Sequence, residues 1–249
     1  EMPGHSTAVL VCYPGLSCTG EIDDKIFPFF KGPGVTPDIM CAGNEETFAL
    51  IEDVMDEIIE VFPSEFIHIG GDEAPKVWWE KCPKCQKRIS DEGLNDEKEL
   101  QSYFVSRVEK YINSKGRRLI GWSEITEGGL ATNAAVMDWI GGAKEATEKG
   151  QDVVMSPTSH CYFDYPYKSI NSEHAYSFDP VKGLNAEQSK HILGLQANFW
   201  SHIDREPELV DKQLFPRLLS IAERGWSPSD VTDWDSFRNR IEKHLPVLQ

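Results

Sequence analysis

The sequence lacks any apolar run approaching the roughly 20 residues of a membrane-spanning helix. It also lacks internal repeats, low-complexity segments and any stretch that reads as an interdomain linker. Positive charge is scarce: 25 Lys and Arg stand against 41 Asp and Glu, giving a net charge of −16 and a pI near 4.8. That balance argues against nucleic acid and anionic membranes as partners and is compatible with a neutral or cationic substrate. Six cysteines in 249 residues are too few for a disulfide scaffold, and they leave the redox compartment open. Cys82-Pro-Lys-Cys85 has a zinc-like spacing. No second Cys-x-x-Cys and no nearby His pair completes four ligands, so the expectation is a turn at the start of a helix and no metal. No cofactor is called for. The sequence carries no signal-peptide pattern, and it begins at Glu1, so any leader lies outside it.

What is present is an ordinary globular composition, 40% hydrophobic and 27% charged, able to bury a core as one large domain or two small ones. Asn44 can cap a helix whose apolar positions Phe48, Ile51, Met55, Ile58 and Phe62 recur at helical spacing up to Pro63. A strand over 66–71 follows. A second amphipathic helix carries Leu100, Phe104, Val108, Tyr111 and Ile112 and stops at Gly116. Strands are expected at 118–122, 135–140, 152–156 and 191–200, with a short helix at 143–149. Pro207 opens a helix running through Ala222 with a kink at Pro216, and the segment from Trp234 to Leu245 is a last amphipathic helix. Strands with apolar, non-alternating cores separated by helices predict a parallel sheet with helices outside it, an α/β fold.

The most telling stretch is Phe66-Ile-His-Ile-Gly-Gly-Asp-Glu-Ala-Pro75. A strand pattern ends in two glycines, two adjacent acids and a proline. The glycines leave room for close approach to the backbone, and Pro75 turns the chain. Either acid by itself could merely solvate a loop. The other strand ends change that reading: Trp122 with Glu124, Trp139 and Trp200 fall at equivalent positions of successive units, and the remaining strand leads into Tyr162-Phe-Asp-Tyr165. In a (β/α) barrel such positions converge on one mouth. Flat aromatic walls with carboxylates between them suit a sugar, which offers C–H faces to stack and hydroxyls to bond.

His68-Ile-Gly-Gly-Asp-Glu73, Gly121-Trp-Ser-Glu124, Tyr162-Phe-Asp164 and Asn198-Phe-Trp200 resemble the β-N-acetylhexosaminidases of glycoside hydrolase family 20. So do the opening Met2-Pro-Gly-His5 and the run Cys82-Pro-Lys-Cys-Gln86. The resemblance extends over essentially the whole of residues 1–249. It implies a (β/α)8 TIM-barrel fold, covered here from the end of strand 3 to strand 8, as the C-terminal portion of one catalytic domain. It implies an exo-acting retaining hydrolase of terminal N-acetylglucosamine or N-acetylgalactosamine on glycans, in a secreted, periplasmic or lysosomal setting rather than the cytoplasm. Catalysis in that family is substrate-assisted, with the 2-acetamido oxygen as nucleophile. By carry-over Glu73 is the general acid and base, Asp72 holds the acetamido N–H, and Tyr162 bonds the acetamido oxygen. Trp122, Trp139 and Trp200 wall the pocket, Asp164 binds a sugar hydroxyl, and His5 matches the family's histidine near the site.

Two departures accompany the resemblance. The family's first two strands and most of its third, with a substrate-binding arginine and an aspartate, are expected to lie outside this sequence. Two positions after Trp200, where the family often has a glutamate for the sugar 4-hydroxyl, stands His202. It could take that role, mark a different sugar preference, or cap the loop. Because a simple extended strand would point Asp72 and Glu73 to opposite faces, the assignment also requires the backbone to turn at Gly71 or Asp72. Two rival functions are a metal-dependent hydrolase using His5, His68, Asp72 and Glu73, and a non-catalytic sugar-binding protein stacking its ligand on Trp200.

Overall fold

The computed structural model describes residues 1–19, 34–129, 131–200 and 206–248, without the side chains of residues 247 and 248. The chain divides into two compact units, Glu1–Val136 and Met137–Gln249. Strands β1 (Phe66–His68), β2 (Arg118–Trp122), β3 (Ala135–Asp138), β4 (Val153–Met155) and β5 (Ile192–Leu195) alternate with helices, and their order in the sheet is their order in the chain. The unit boundary falls inside β3, whose four residues are all buried.

In the first unit β1 pairs parallel with β2, Phe66 opposite Arg118 and His68 opposite Ile120. Beyond the last strand residue the ladder continues through Ile69 N–H to the Ile120 carbonyl (3.0 Å), and Met2 bridges Gly70 in parallel. The N-terminal segment therefore lies alongside the end of β1. The Glu45–Val61 helix is capped by Asn44, whose side chain accepts from Glu46 N–H at 3.2 Å, and the Glu97–Ser114 helix is capped by Asp96. Their apolar stripes meet at Phe48 and Phe104, with ring centroids 5.2 Å apart. Leu100, Phe104, Val105 and Ile112 are fully buried; each such apolar side chain contributes about 1.5–3 kcal/mol. Both helices follow the periodicity expected for them, and the first follows its expected cap at Asn44.

In the second unit β4 pairs parallel with β5, with a register shift between Val153 and Val154. The strands are shorter than the apolar runs. Strand β3 ends at Asp138 because its carboxylate turns the chain, accepting from Gly141 N–H (2.7 Å) and Ala143 N–H (3.0 Å). Trp139 thus stands just past the strand. The segment expected as one kinked helix from Pro207 through Ala222 is two helices, Pro207–Leu214 and Arg217–Trp226. Phe215 is extended before Pro216, the conformation that a following proline imposes, and this breaks the helix.

The second of these helices places Arg217 in the interior with no exposure. Its guanidinium donates to the carbonyls of Tyr165 (2.8 Å), Ile170 (2.9 Å) and Phe163, and its Nε donates to Gln213 O (2.7 Å). The same group stacks on Phe163 and Tyr167. One buried cation thereby organises the whole 163–170 loop. Arg217→Leu takes this donor from the Ile170 carbonyl and leaves the Phe163 and Tyr165 carbonyls to Gln213 Nε2 alone (2.7 and 3.0 Å), and it is expected to lower unfolding free energy by about 3 kcal/mol. Denaturant unfolding checks this; a midpoint unchanged from that of the parent chain would show that the loop is held by other means.

Candidate active site

The acidic pair of the first unit is aimed by backbone conformation. Gly70 and Gly71 have φ of +81° and +94°, and Glu73 itself has φ of +45°. A Cβ on Gly71 would lie 2.4 Å from Ile125 Cγ2, so glycine there meets both a conformational and a steric demand. The turn therefore includes Gly71, as the acid pair requires, and is completed at Glu73 rather than Asp72. Strand alternation is lost, and both carboxylates converge on one imidazole. His5 Nε2 lies 3.4 Å from Asp72 Oδ2 and 3.3 Å from Glu73 Oε2. His5 also sits at positive φ, +49°. Strained non-glycine residues of this kind concentrate at functional sites.

The two acids differ in surroundings. The Asp72 side chain is 13% exposed and that of Glu73 37%. Asp72 Oδ1 is buried with no hydrogen-bond partner among the described residues. Glu73 lines a cleft of about 320 Å³ with Val35, Lys76, Gln101, Glu124 and Glu127. Burial opposes ionisation of Asp72, yet its contact with His5 holds its carboxyl below the usual range. The same contact raises His5 against the opposing effect of burial, with the charges of Asp72, Glu1 and Glu73 adding to the rise. Glu1 is a further carboxyl of this cluster, raised by burial and by the Asp72 charge.

His68 is placed differently. It lies in β1, its ring 5.0 Å from that of Trp122 in an edge contact, and its Nδ1 accepts from Gly70 N–H at 3.1 Å. Burial pushes its pKa down to about 4. It packs Trp122, itself buried, rather than joining His5 and the acids. The His5, Asp72 and Glu73 ligand atoms lie within 4.8 Å of one another, close enough to hold a cation. However, a histidine whose proton is retained by two carboxylates acts as their counter-ion, which competes with ligation.

Behind the turn stands Gln101, 1% exposed, on the Glu97–Ser114 helix. Its Nε2 donates to Gly71 O (3.0 Å) and Glu124 O (3.1 Å), tying the acid turn to the turn after β2. Neither Gln101 nor Glu1 was marked by motif reading. The signal for Gln101 was available, since it shares a helix face with Val105 and Val108, where a polar residue is conspicuous.

In the second unit Trp139 and Tyr162 stack with centroids 6.1 Å apart, and Tyr165 lies 6.2 Å from Tyr162. Tyr162 and Asp164 are buried, Trp139 is half-buried and Trp200 is 43% exposed. Asn198 holds this group in place. It bridges Tyr162 in parallel, its backbone exchanges bonds with Cys161 and Phe163 (2.7 Å each), and its Nδ2 donates to Ser156 Oγ at 2.5 Å. Arg217 secures the same loop from the other side of Phe163. His202 lies outside the described residues.

Residues 1–229 match the family described as glycosyl hydrolase family 20, catalytic domain. A protein of Porphyromonas gingivalis named beta-hexosaminidase is 42% identical over 259 residues, covering 97% of this chain and 33% of that protein. The solved Flavobacterium johnsoniae chitobiase superposes with a TM-score of 0.85 at 32% identity, covering 98% of this chain and 37% of its own. An exo beta-N-acetylglucosaminidase of Vibrio harveyi, solved in complex with N-acetylglucosamine, gives a TM-score of 0.84 at 27% identity, over 99% of this chain and 41% of that one. The chain thus spans between a third and a half of the length of these relatives.

The raised His5 and lowered Asp72 define a pH window. Stability contributed by His5 is present in acid and lost as pH rises through its raised pKa, whereas that of Asp72 is lost as pH falls through its lowered one. The contact is therefore strongest between the two. Imidazole NMR titration is expected to place the His5 midpoint above 6.5 and the His68 midpoint near 4. Asp72→Asn should bring His5 down while leaving His68 buried and low. A His5 midpoint insensitive to that change would sink the pairing.

Proposed function

The chain belongs to glycosyl hydrolase family 20 and has that family's (β/α)-barrel type of fold; from this premise we propose that residues 1–249 form the C-terminal part of a catalytic domain that releases terminal β-linked N-acetylhexosamine from glycans. The observation that carries the proposal is the convergence of Asp72 and Glu73 on His5 at 3.4 and 3.3 Å. Ordinary retaining glycosidases set two carboxyl groups about 5–5.5 Å apart on opposite sides of the scissile bond, one of them as nucleophile. A side-by-side pair leaves the attacking role to the substrate's own acetamido oxygen.

Glu73, the more exposed acid beside the cleft, protonates the leaving oxygen and then takes a proton from the incoming water. Asp72, with a buried oxygen free to accept, takes the acetamido N–H and stabilises the positive charge that grows there as the oxazoline-type ring closes. His5 bridges the two acids and lowers the cost of holding them side by side. In the second unit, Tyr162 donates to the acetamido oxygen, Trp139 and Trp200 supply sugar-stacking surfaces, and Asp164 accepts from a hydroxyl. Trp122 performs the walling role in the first unit. The packing of Trp139 on Tyr162 supports this division, because an aromatic wall must be rigid to orient a small acetamide.

In the full-length protein containing this chain, release of p-nitrophenol is expected from the β-N-acetylglucosaminide and not from the β-glucoside. Equal cleavage of both would refute substrate assistance. Glu73→Gln should lower kcat/KM by about 10²–10⁴ on oligosaccharides and less on aryl glycosides, whose leaving groups need little protonation. Asp72→Asn should cost about 10²–10³ on both substrate types, since acetamide activation precedes either departure.

A further inference from the structure

Four cysteines that no catalytic role uses meet in the first unit. Cys18 follows the short turn Pro14–Leu16, Cys41 lies just before Asn44, and Cys82 and Cys85 flank the start of the Pro83–Glu92 helix. Their sulfur atoms all lie within 4.8 Å of one another. Cys18 Sγ is 3.6 Å from Cys85 Sγ, and Cys41 Sγ is 3.7 Å from Cys82 Sγ and 3.6 Å from Cys85 Sγ. Cys41, Cys82 and Cys85 are buried and Cys18 partly so.

We propose that Cys18, Cys41, Cys82 and Cys85 bind a structural Zn²⁺ ion. Zinc–thiolate bonds of about 2.3 Å in a tetrahedron require sulfur atoms about 3.8 Å apart, close to the three separations here. A disulfide needs a sulfur separation of about 2.05 Å. Cys41 is also nearly equidistant from two sulfurs, whereas a disulfide can take only one. Four thiolates on a tetrahedral d¹⁰ ion leave no open position, so the site is structural rather than catalytic. Binding replaces the thiol protons, which leave to solvent, and the site carries a formal charge of −2.

The surrounding backbone is arranged for such a site. Ser17 and Met40 form an antiparallel bridge that sets Cys18 beside Cys41. Cys41 N–H donates to Leu16 O at 2.8 Å, and Trp79 Nε1 donates to Met40 O at 2.9 Å from a fully buried ring. Gly43 passes so near the Cys-x-x-Cys turn that a Cβ would lie 2.4 Å from Cys85 N. A metal there fastens three separate segments together. Met40 N–H in turn bonds Pro3 O at 3.0 Å, two residues before His5, and Cys82 stands nine residues after Glu73. The ion therefore anchors both chain segments that deliver the acid–histidine cluster, without touching substrate. This inference stands independently of the hydrolase reading.

The test is the metal content of the wild-type chain, purified in reductant without chelator, by plasma mass spectrometry. One zinc per chain is expected, and cobalt exchanged into the site should show the intense visible bands of tetrahedral thiolate coordination. Cys82→Ser and Cys18→Ser should each lose the metal and the cobalt spectrum, while Cys161→Ser, outside the cluster, keeps both. Wild-type chain with no stoichiometric metal would overturn the proposal, as would an intact mass lowered by two hydrogens per bridge under non-reducing conditions. One iron per chain instead of zinc would overturn the choice of ion. Because these readouts are spectroscopic and compositional, a negative result leaves the sugar-hydrolase reading untouched.

Discussion

Everything at the first unit's site follows from a single backbone demand: two consecutive acids must face the same way at the end of a strand. Extended chain forbids this, since neighbouring side chains alternate. Gly70 and Gly71 absorb one part of the reversal at positive φ, and Glu73 takes the rest in a conformation costly for a residue with a Cβ. Such a turn persists only where its surroundings over-determine it. Gln101 holds the Gly71 carbonyl, Ile125 fills the space a side chain would need, and Gly4 lies so close that a Cβ would sit 2.7 Å from Asp72 O. Met2 hydrogen-bonds to Ile69, and this sets His5 where it bridges both carboxylates.

The electrostatic consequence is a shared imidazole that makes a close like-charge pair tolerable. Asp72, largely buried, keeps its charge because His5 supports it; Glu73 remains open to the cleft. One environment suits fixed charge stabilisation and the other proton exchange. The second unit solves a different problem, the rigidity of an aromatic loop. Asn198 fastens Tyr162 from the β5 side, and Arg217 gathers the carbonyls that the loop leaves inside the protein. A buried arginine is tolerable there because nearly every donor finds a carbonyl and its faces meet aromatic rings.

Much of this was legible in the residues. The Glu45–Val61 and Glu97–Ser114 helices followed from periodicity, from the cap Asn44 of the first and from the stop at Gly116 of the second, since these signals are local. All five strands were readable, and β2 ran over the residues expected, though the other four were overestimated at their ends: Asp138 turns the chain away before Trp139, and β5 stops at Leu195. The break at Pro216 was visible, its severity was not: a proline can bend or end a helix, and here Phe215 before it is extended, which ends the helix. Arg217 escaped notice because three of the four buried residues of its helix, Arg217, Ser220 and Arg224, are polar beside Ile221, so apolar periodicity does not mark that face. The cysteine quartet escaped because its members are 23, 41 and 3 residues apart in succession, and spacing marked only the last pair.

Sequence alone determined the five strands and their order, the two long helices of the first unit, the parallel α/β class and the candidate acids, because strand, cap and turn preferences act over a few residues. It also carried the family, through motifs whose chemistry needs those residues in that order. Only the tertiary structure decided that His5 meets both Asp72 and Glu73, that His68 packs Trp122 instead of joining them, and that Cys18 and Cys41 complete the Cys82–Cys85 pair. Each of those facts joins segments separated in the chain, and side-chain partners at that range are set by how the core closes rather than by local preference.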